Sequence, residues 1–360
     1  MKKYSIFKLL ILLSVVFVSC VKEETIVQNV FEAVDTNIIV SSEGNLDAKD
    51  GSVSYFGKND SDIFYYENVN GAKVAGLIQS ICFGIEDAYI ILNDVSQIIV
   101  VDKYTFKKKA IVQTGLGLPR YMTIVGSKGY ITNWGDGTDE TDDYLAVLDL
   151  ATNKIVESEK IAMANGVERI LVKDNKLYVS HKGGYSSNNI VSVVDLSDAN
   201  KITTITVKDN PDEMFFNNAG ELVVLCQGKP LSYGSTPPYP ALTNTLSSIT
   251  FINTADNSIN KELVFAENTR ATLMDYDNGN IYYYKDDKVF TIKDDATKIS
   301  TTNGITVGSI YGMSTKDNHL FTVSYSFTSL CKLKVINISD KTTEYTSAVG
   351  LGAAKIYFIE

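Results

Sequence analysis

One strand pattern returns seven times along this chain. It is a short run of β-branched, aliphatic and aromatic residues, often closing on a small polar one, at residues 37–41, 88–93, 129–134, 177–181, 222–226, 281–285 and 320–324. Successive copies lie roughly 40 to 60 residues apart, the period of one propeller blade. The fourth copy shows the whole unit: β-type runs at 169–173, 177–180, 190–195 and 202–207, separated by turn clusters such as Asp174-Asn175 and Asp198-Ala199-Asn200. That reads as a four-stranded antiparallel meander. A lone meander has two exposed faces and cannot bury enough apolar surface to fold by itself. The seven copies therefore predict an all-β chain, a seven-bladed β-propeller of four-stranded antiparallel blades.

The third run of each unit gives an independent count. It tends to end apolar-apolar-Asx before a turn, as at Asp102, Asp149, Asp195, Asn253 and Asn337. An Asx side chain there can accept a hydrogen bond from the backbone two residues on and reverse the chain.

The ends of the chain explain each other. The first copy begins at Asn37 with what should be a second strand, and a spare β-type run, 354–360, follows the last copy. The spare strand is expected to complete the first blade and close the ring, leaving no open sheet edge.

Residues 1–19 are expected to be a lipoprotein signal peptide. Lys2, Lys3 and Lys8 accompany an apolar run of signal-peptide rather than membrane-spanning length, which ends at Phe17-Val18-Ser19-Cys20. A small residue before a lone Cys resembles a bacterial lipobox, with Phe17 where Leu is usual, and implies lipidation of Cys20. Residues 20–36 read as a charged tether opening with Lys22-Glu23-Glu24, which resembles an outer-membrane surface export signal. The propeller then spans 37–360. Without the leader's three lysines the chain is more acidic than its formal net charge of −10, and it has no basic stripe, so nucleic acid is not an expected partner. Membrane contact would be through lipid alone. Cys82, Cys226 and Cys331 are widely spaced and odd in number, and are expected to be buried free thiols.

Loops after the second strands, and those joining one blade to the next, gather on one face of a propeller, where binding sites form. Repeat register puts Asn45, Asn93, Asn133, Trp134, His181, Tyr185, Gln227, Tyr239, Lys285 and Tyr325 there, with Arg120 and Arg169 on joining loops. These twelve are the candidate ligand-binding residues, a ring of amides, aromatics and cations. Trp134 is the single tryptophan, and the Pro-rich loop 228–242 is the longest irregular segment. The acidic loop 135–143 lacks EF-hand spacing and reads as solvated, with calcium the alternative. The two histidines, His181 and His319, have no metal-ligand spacing, and no nucleophile elbow or phosphate-cradling loop is present. No catalytic residue, metal or cofactor is therefore expected.

Ser42–Asn45 followed by 50–55, then Leu116 to Tyr121, Tyr130 to Gly135 and Val147 to Lys154, resemble the YncE-like seven-bladed surface lipoproteins of Bacteroidota. The resemblance implies an outer-membrane surface protein that captures a bulky nutrient, cobalamin or a related corrinoid, and passes it to a TonB-dependent transporter. Ferric siderophores or glycans are the alternative ligands. A propeller hydrolase or lyase using channel carboxylates is the enzymatic alternative, and a purely adhesive surface protein the third.

Overall fold

The computed structural model describes residues 37–359 apart from 231, 234–240, 243 and 268. Seven antiparallel sheets stand around a central axis. Their innermost strands are Ala353–Ile359, Ile78–Phe83, Pro119–Val125, Val167–Lys173, Pro211–Phe216, Leu273–Asp277 and Ile310–Lys316, for blades one to seven. In each blade the recurring sequence pattern is the second strand. The ring is closed as expected: Ala353–Ile359 pairs along Asn37–Ser42, with Asn37 opposite Ile359. Tyr357 Oη also accepts the Ile81 N–H at 2.8 Å and ties the closing strand to blade two.

Second strands carry a continuous apolar run rather than alternation because a neighbouring blade covers each of their faces. Between blades four and five, for example, Tyr178, Val191, Val193 and Ile205 pack on Leu222, Val224 and Cys226. Each such side chain contributes about 1.5–3 kcal/mol by leaving water. Outer strands follow the opposite rule. Lys201–Thr206 is exposed at every position except Ile205.

All five Asx residues that end the third runs make the expected turn. Asp102, Asp149, Asp195, Asn253 and Asn337 each accept a backbone N–H from two residues on, at 2.9 to 3.2 Å. Two departures from the simple repeat lie at blade edges. The outer position of blade three is shared by Lys154–Ile155 and Ile161–Ala162, on either side of a 3-10 turn. Blade one has an outer strand of two residues, Ser61–Asp62, followed by a short helix, Tyr65–Asn70. Gly71, at φ 65°, ends that helix in the left-handed region.

Cys82, Cys226 and Cys331 are free thiols, the last two buried. Burial pushes the Cys82 and Cys226 thiols up to about 12, so neither ionises near neutrality. Among the described residues no helix is long and apolar enough to cross a membrane. Cys20 and the segments 1–19 and 20–36 lie outside the described residues.

Candidate functional site

The site is built by a backbone irregularity repeated around the ring. Near its upper end, where the second strand runs into its loop, the inner strand of six blades gains one residue relative to its partner. In blades three, four and five the affected sequences correspond: Pro119-Arg120-Tyr121-Met122, Val167-Glu168-Arg169-Ile170 and Pro211-Asp212-Glu213-Met214. A bulge breaks the one-in, one-out alternation of a strand. Two consecutive residues of each strand, 120 and 121, 168 and 169, 212 and 213, therefore line the channel, while the apolar residues beside them stay between blades.

The resulting well has a volume of about 240 Å³ and opens on the loop face. Its wall is a chain of charge-assisted hydrogen bonds. Arg120 grips Glu168 with two N–H groups, at 2.9 and 2.8 Å. Arg169 bridges Asp212 at 3.1 Å and Glu213 at 3.0 Å. Lys182 and the Gln227 amide both donate to the other Asp212 oxygen, at 2.6 and 2.9 Å. The two guanidiniums also lie over rings, Arg120 at 3.9 Å from the centre of Trp134 and Arg169 at 4.4 Å from that of Tyr121. Across the well, Tyr311 Oη donates to the Glu43 carboxylate at 3.2 Å.

Burial and pairing divide the acids. Although burial opposes it, Lys182 and Arg169 hold the Asp212 carboxyl well below the usual carboxylate range. Burial pushes its neighbour Glu213 up to about 7, against the pull of Arg169 and with the help of the Asp212 charge. Glu43 is likewise raised by burial, against the pull of Lys355 and the Tyr311 hydroxyl. Below the well a second cavity of about 180 Å³ continues down the channel. Arg169, Glu213 and Lys355 line both and form the waist between them.

Of the twelve candidate residues, the structure brings Arg120, Arg169 and Gln227 together in the well. Both arginines lie within inner strands rather than on joining loops. Trp134 is 9 % exposed and backs the wall from between the blades, its Nε1–H donating to Val167 O at 2.7 Å. Tyr185 lies on the outer side of Trp134, ring centres 5.6 Å apart. Asn45, Asn93 and Asn133 spend their side chains on backbone: Asn45 closes its own turn, Asn93 donates to Pro119 O, and Asn133 joins Gly117 N to Ile131 O. His181 is fully buried, its Nδ1 shared between Ala164 O and Asn165 O at 3.1 Å each. Lys285 pairs with Asp286 in a separate groove between blades five and six. Tyr325 stacks edgewise on Tyr311 and Phe327 at the rim. Tyr239 lies outside the described residues.

Glu43 and Lys182 also line the wall, from loops 42–45 and 181–185 that repeat register places on this face, while Gln79, Tyr121, Glu168, Asp212, Glu213, Tyr311 and Lys355 are not anticipated from sequence. The signal for several of them was present, as adjacent polar residues at the start of an inner strand where alternation should allow one. In the acidic loop, Asp136 and Asp139 accept from Thr138 and Thr141, and the Asp142 carboxylate accepts the Asp136 N–H. Among the described residues no group of three or more His, Cys, Asp or Glu side chains is placed to hold a metal ion.

Solved structures match this architecture over nearly the whole chain. The periplasmic gluconolactonase PpgL of Pseudomonas aeruginosa superposes with a TM-score of 0.64 at 10 % identity, over 90 % of this chain and 99 % of its own. A putative 6-phosphogluconolactonase from Bacteroides fragilis gives 0.62 at 12 % identity, over 91 % and 99 %. The dihydro-heme d1 dehydrogenase NirN, solved in complex with DHE, gives 0.53 at 14 % identity, over 91 % and 76 %. The likeness is one of fold. Neighbours that act on substrates stand beside others named only as proteins, and at these identities none lends its chemistry to the well. No family model matches the sequence, and no curated protein does.

Proposed function

We propose that this chain is a non-catalytic capture protein that takes a hexose-sized polar solute into the well at the loop face. The observation that carries this is the state of the well's carboxylates. Glu168, Asp212 and Glu213 are each held by an arginine and Glu43 by the Tyr311 hydroxyl, so a base or nucleophile would have to give up an ion pair or that hydrogen bond to act. The wall is instead preorganised for hydrogen bonding, which favours binding. A volume of about 240 Å³ holds about eight waters, the size of a monosaccharide and not of a macrocycle.

A corrinoid, the ligand implied by the family resemblance, would on this reading lie across the mouth with only a side arm in the well. The half-exposed Tyr325 and the exposed Tyr185 favour it as a second reading, since they offer apolar faces on loops of that side. Strand Asn37–Ser42 runs upward into Glu43 of the well, so the chain enters the propeller at the face opposite the mouth. Lipidation at Cys20 and a tether of residues 20–36 would then hold the mouth away from an outer membrane, toward the medium. A TonB-dependent transporter is the proposed recipient.

The test is a binding screen on residues 21–360, with cyanocobalamin and a panel of monosaccharides and sugar acids. It is read by calorimetry and by Trp134 emission, since that ring backs the wall. Saturable binding with the ligand recovered unchanged, and lost in Gln79→Trp, which fills the well from a position outside the ion pairs, is the expected result. Conversion of the ligand would overturn the non-catalytic reading, and binding untouched by Gln79→Trp would move the site elsewhere.

A further inference from the structure

The four cations of the channel are not equivalent. Arg120, Arg169 and Lys182 are each within 3.1 Å of a carboxylate oxygen. Lys355 is different. It projects from the closing strand into the waist shared by both cavities, and among the described residues no hydrogen bond or ion pair engages its ammonium. Its ammonium is half-buried there and feels the Glu43 and Glu213 charges without a direct bond to either, which leaves its donors open to a bound anion.

We propose that Lys355 is the receptor for an oxyanion, a carboxylate, sulfate or phosphate group carried by the captured solute, which enters the well acid group first. The inference rests on the capture reading above and narrows its ligand to anionic solutes. Arg169, beside Lys355 at the waist, supplies a second positive charge, and Arg120 and Lys182 line the approach.

The same neighbours make the receptor sensitive to pH. Facing Lys355 are Glu43 and Tyr357 of its own blade, Arg120 and Tyr121 of blade three, and Glu168, Arg169 and Lys182 of blade four. Asp212 and Glu213 of blade five, Asp275 of blade six and Tyr311 of blade seven complete the surround. With every acid of the upper well ionised, Glu43, Glu168, Asp212 and Glu213 balance Arg120, Arg169, Lys182 and Lys355. Burial raises Glu213 to about 7 and raises Glu43 as well, so on acidification the well turns net positive while Asp212, held low, stays ionised. Burial and the nearby Arg169 charge lower Lys355 as well, against the pull of Glu43 and Glu213. An anion should bind more tightly below neutrality than above it.

Sulfate is the probe, because its own charge does not change between pH 6 and pH 8. Calorimetry of residues 21–360 with sodium sulfate, at constant ionic strength set with chloride, should give one site that binds about tenfold more tightly at pH 6 than at pH 8. Lys355→Met should abolish it, and Glu213→Gln should flatten the pH dependence, circular dichroism confirming that both variants are folded. Absent sulfate binding, or binding that Lys355→Met leaves intact, would overturn the inference. If uncharged solutes from the screen still bind and sulfate does not, capture stands and the anion receptor falls. If neither binds, both readings fall.

Discussion

The Arg120 guanidinium carbon lies over the Trp134 ring, 3.9 Å from its centre, while two of its N–H groups hold Glu168. One cation thus joins the single tryptophan, on the packing side, to an acid on the channel side.

Removing that cation alone should be severe. In Arg120→Ala the Glu168 carboxylate, 3 % exposed, is left buried without its counter-ion, at a cost of about 3–5 kcal/mol. Arg120→Met with Glu168→Met should recover most of the loss. Urea unfolding of the two singles and the double measures the coupling, and Trp134 emission should move to the red in Arg120→Ala as the ring loses its cover.

Acid should unfold the protein partly through His181. Burial lowers this histidine to about 4, with Nδ1 bonded to two carbonyls and Nε2 buried without a partner. Its folded value lies below the unfolded value of about 6.5, so the neutral form is the native one. The associated stability is complete above pH 6.5 and is lost as pH falls toward 4, about 3 kcal/mol in all. His181→Asn should flatten that part of the stability profile measured by urea titration at pH 7, 5.5 and 4.

Deleting residues 353–360 removes the inner strand of blade one, including the whole pairing with Asn37–Ser42. The expected product aggregates or melts without a cooperative transition in calorimetry. Tyr357→Phe, which keeps the ring but strips the acceptor from Ile81 N–H and the neighbouring hydroxyl from Ser41, should cost about 1–3 kcal/mol and keep a cooperative melt.

Two glycines with positive φ separate strain from collision. Gly126, at φ 59°, has nothing within 4 Å of an added Cβ, so Gly126→Ala should cost only about 1–2 kcal/mol of left-handed strain. At Gly166, φ 75°, the added carbon falls 2.0 Å from the Gly183 Cα, backbone against backbone. Gly166→Ala should cost clearly more, read as the difference in thermal midpoints between the two variants.

The architecture was legible because its signals are local and repeated. The second strands announce themselves through runs buried on both faces, and the third through Asx residues whose turn chemistry acts within two or three positions. The ring closure followed from an unmatched strand at each end. The well was harder to see because bulges create it. The expectation was that loops such as those of Asn93 and Asn133 would supply the contacts. Their amides instead satisfy backbone groups where blades meet, a demand set by neighbours distant in sequence. Glu168-Arg169 and Asp212-Glu213 looked like ordinary strand residues because periodicity assigns one of each pair to the blade interface. The short helix 65–70 was missed as well. It forms against Phe106, and its Asn70 amide reaches the Phe106 carbonyl.

Because Asn37 pairs with Ile359, the ring has no finished edge until the closing strand is in place. Blades two to seven can each assemble from neighbouring stretches of chain, but blade one joins Asn37 to Ile359, a contact of very large sequence separation. Lys355 sits on that closing strand, so the waist of the channel depends on this one long-range pairing. An open ring would lack Lys355 and with it the waist of the well, so the well exists only where the ring is closed.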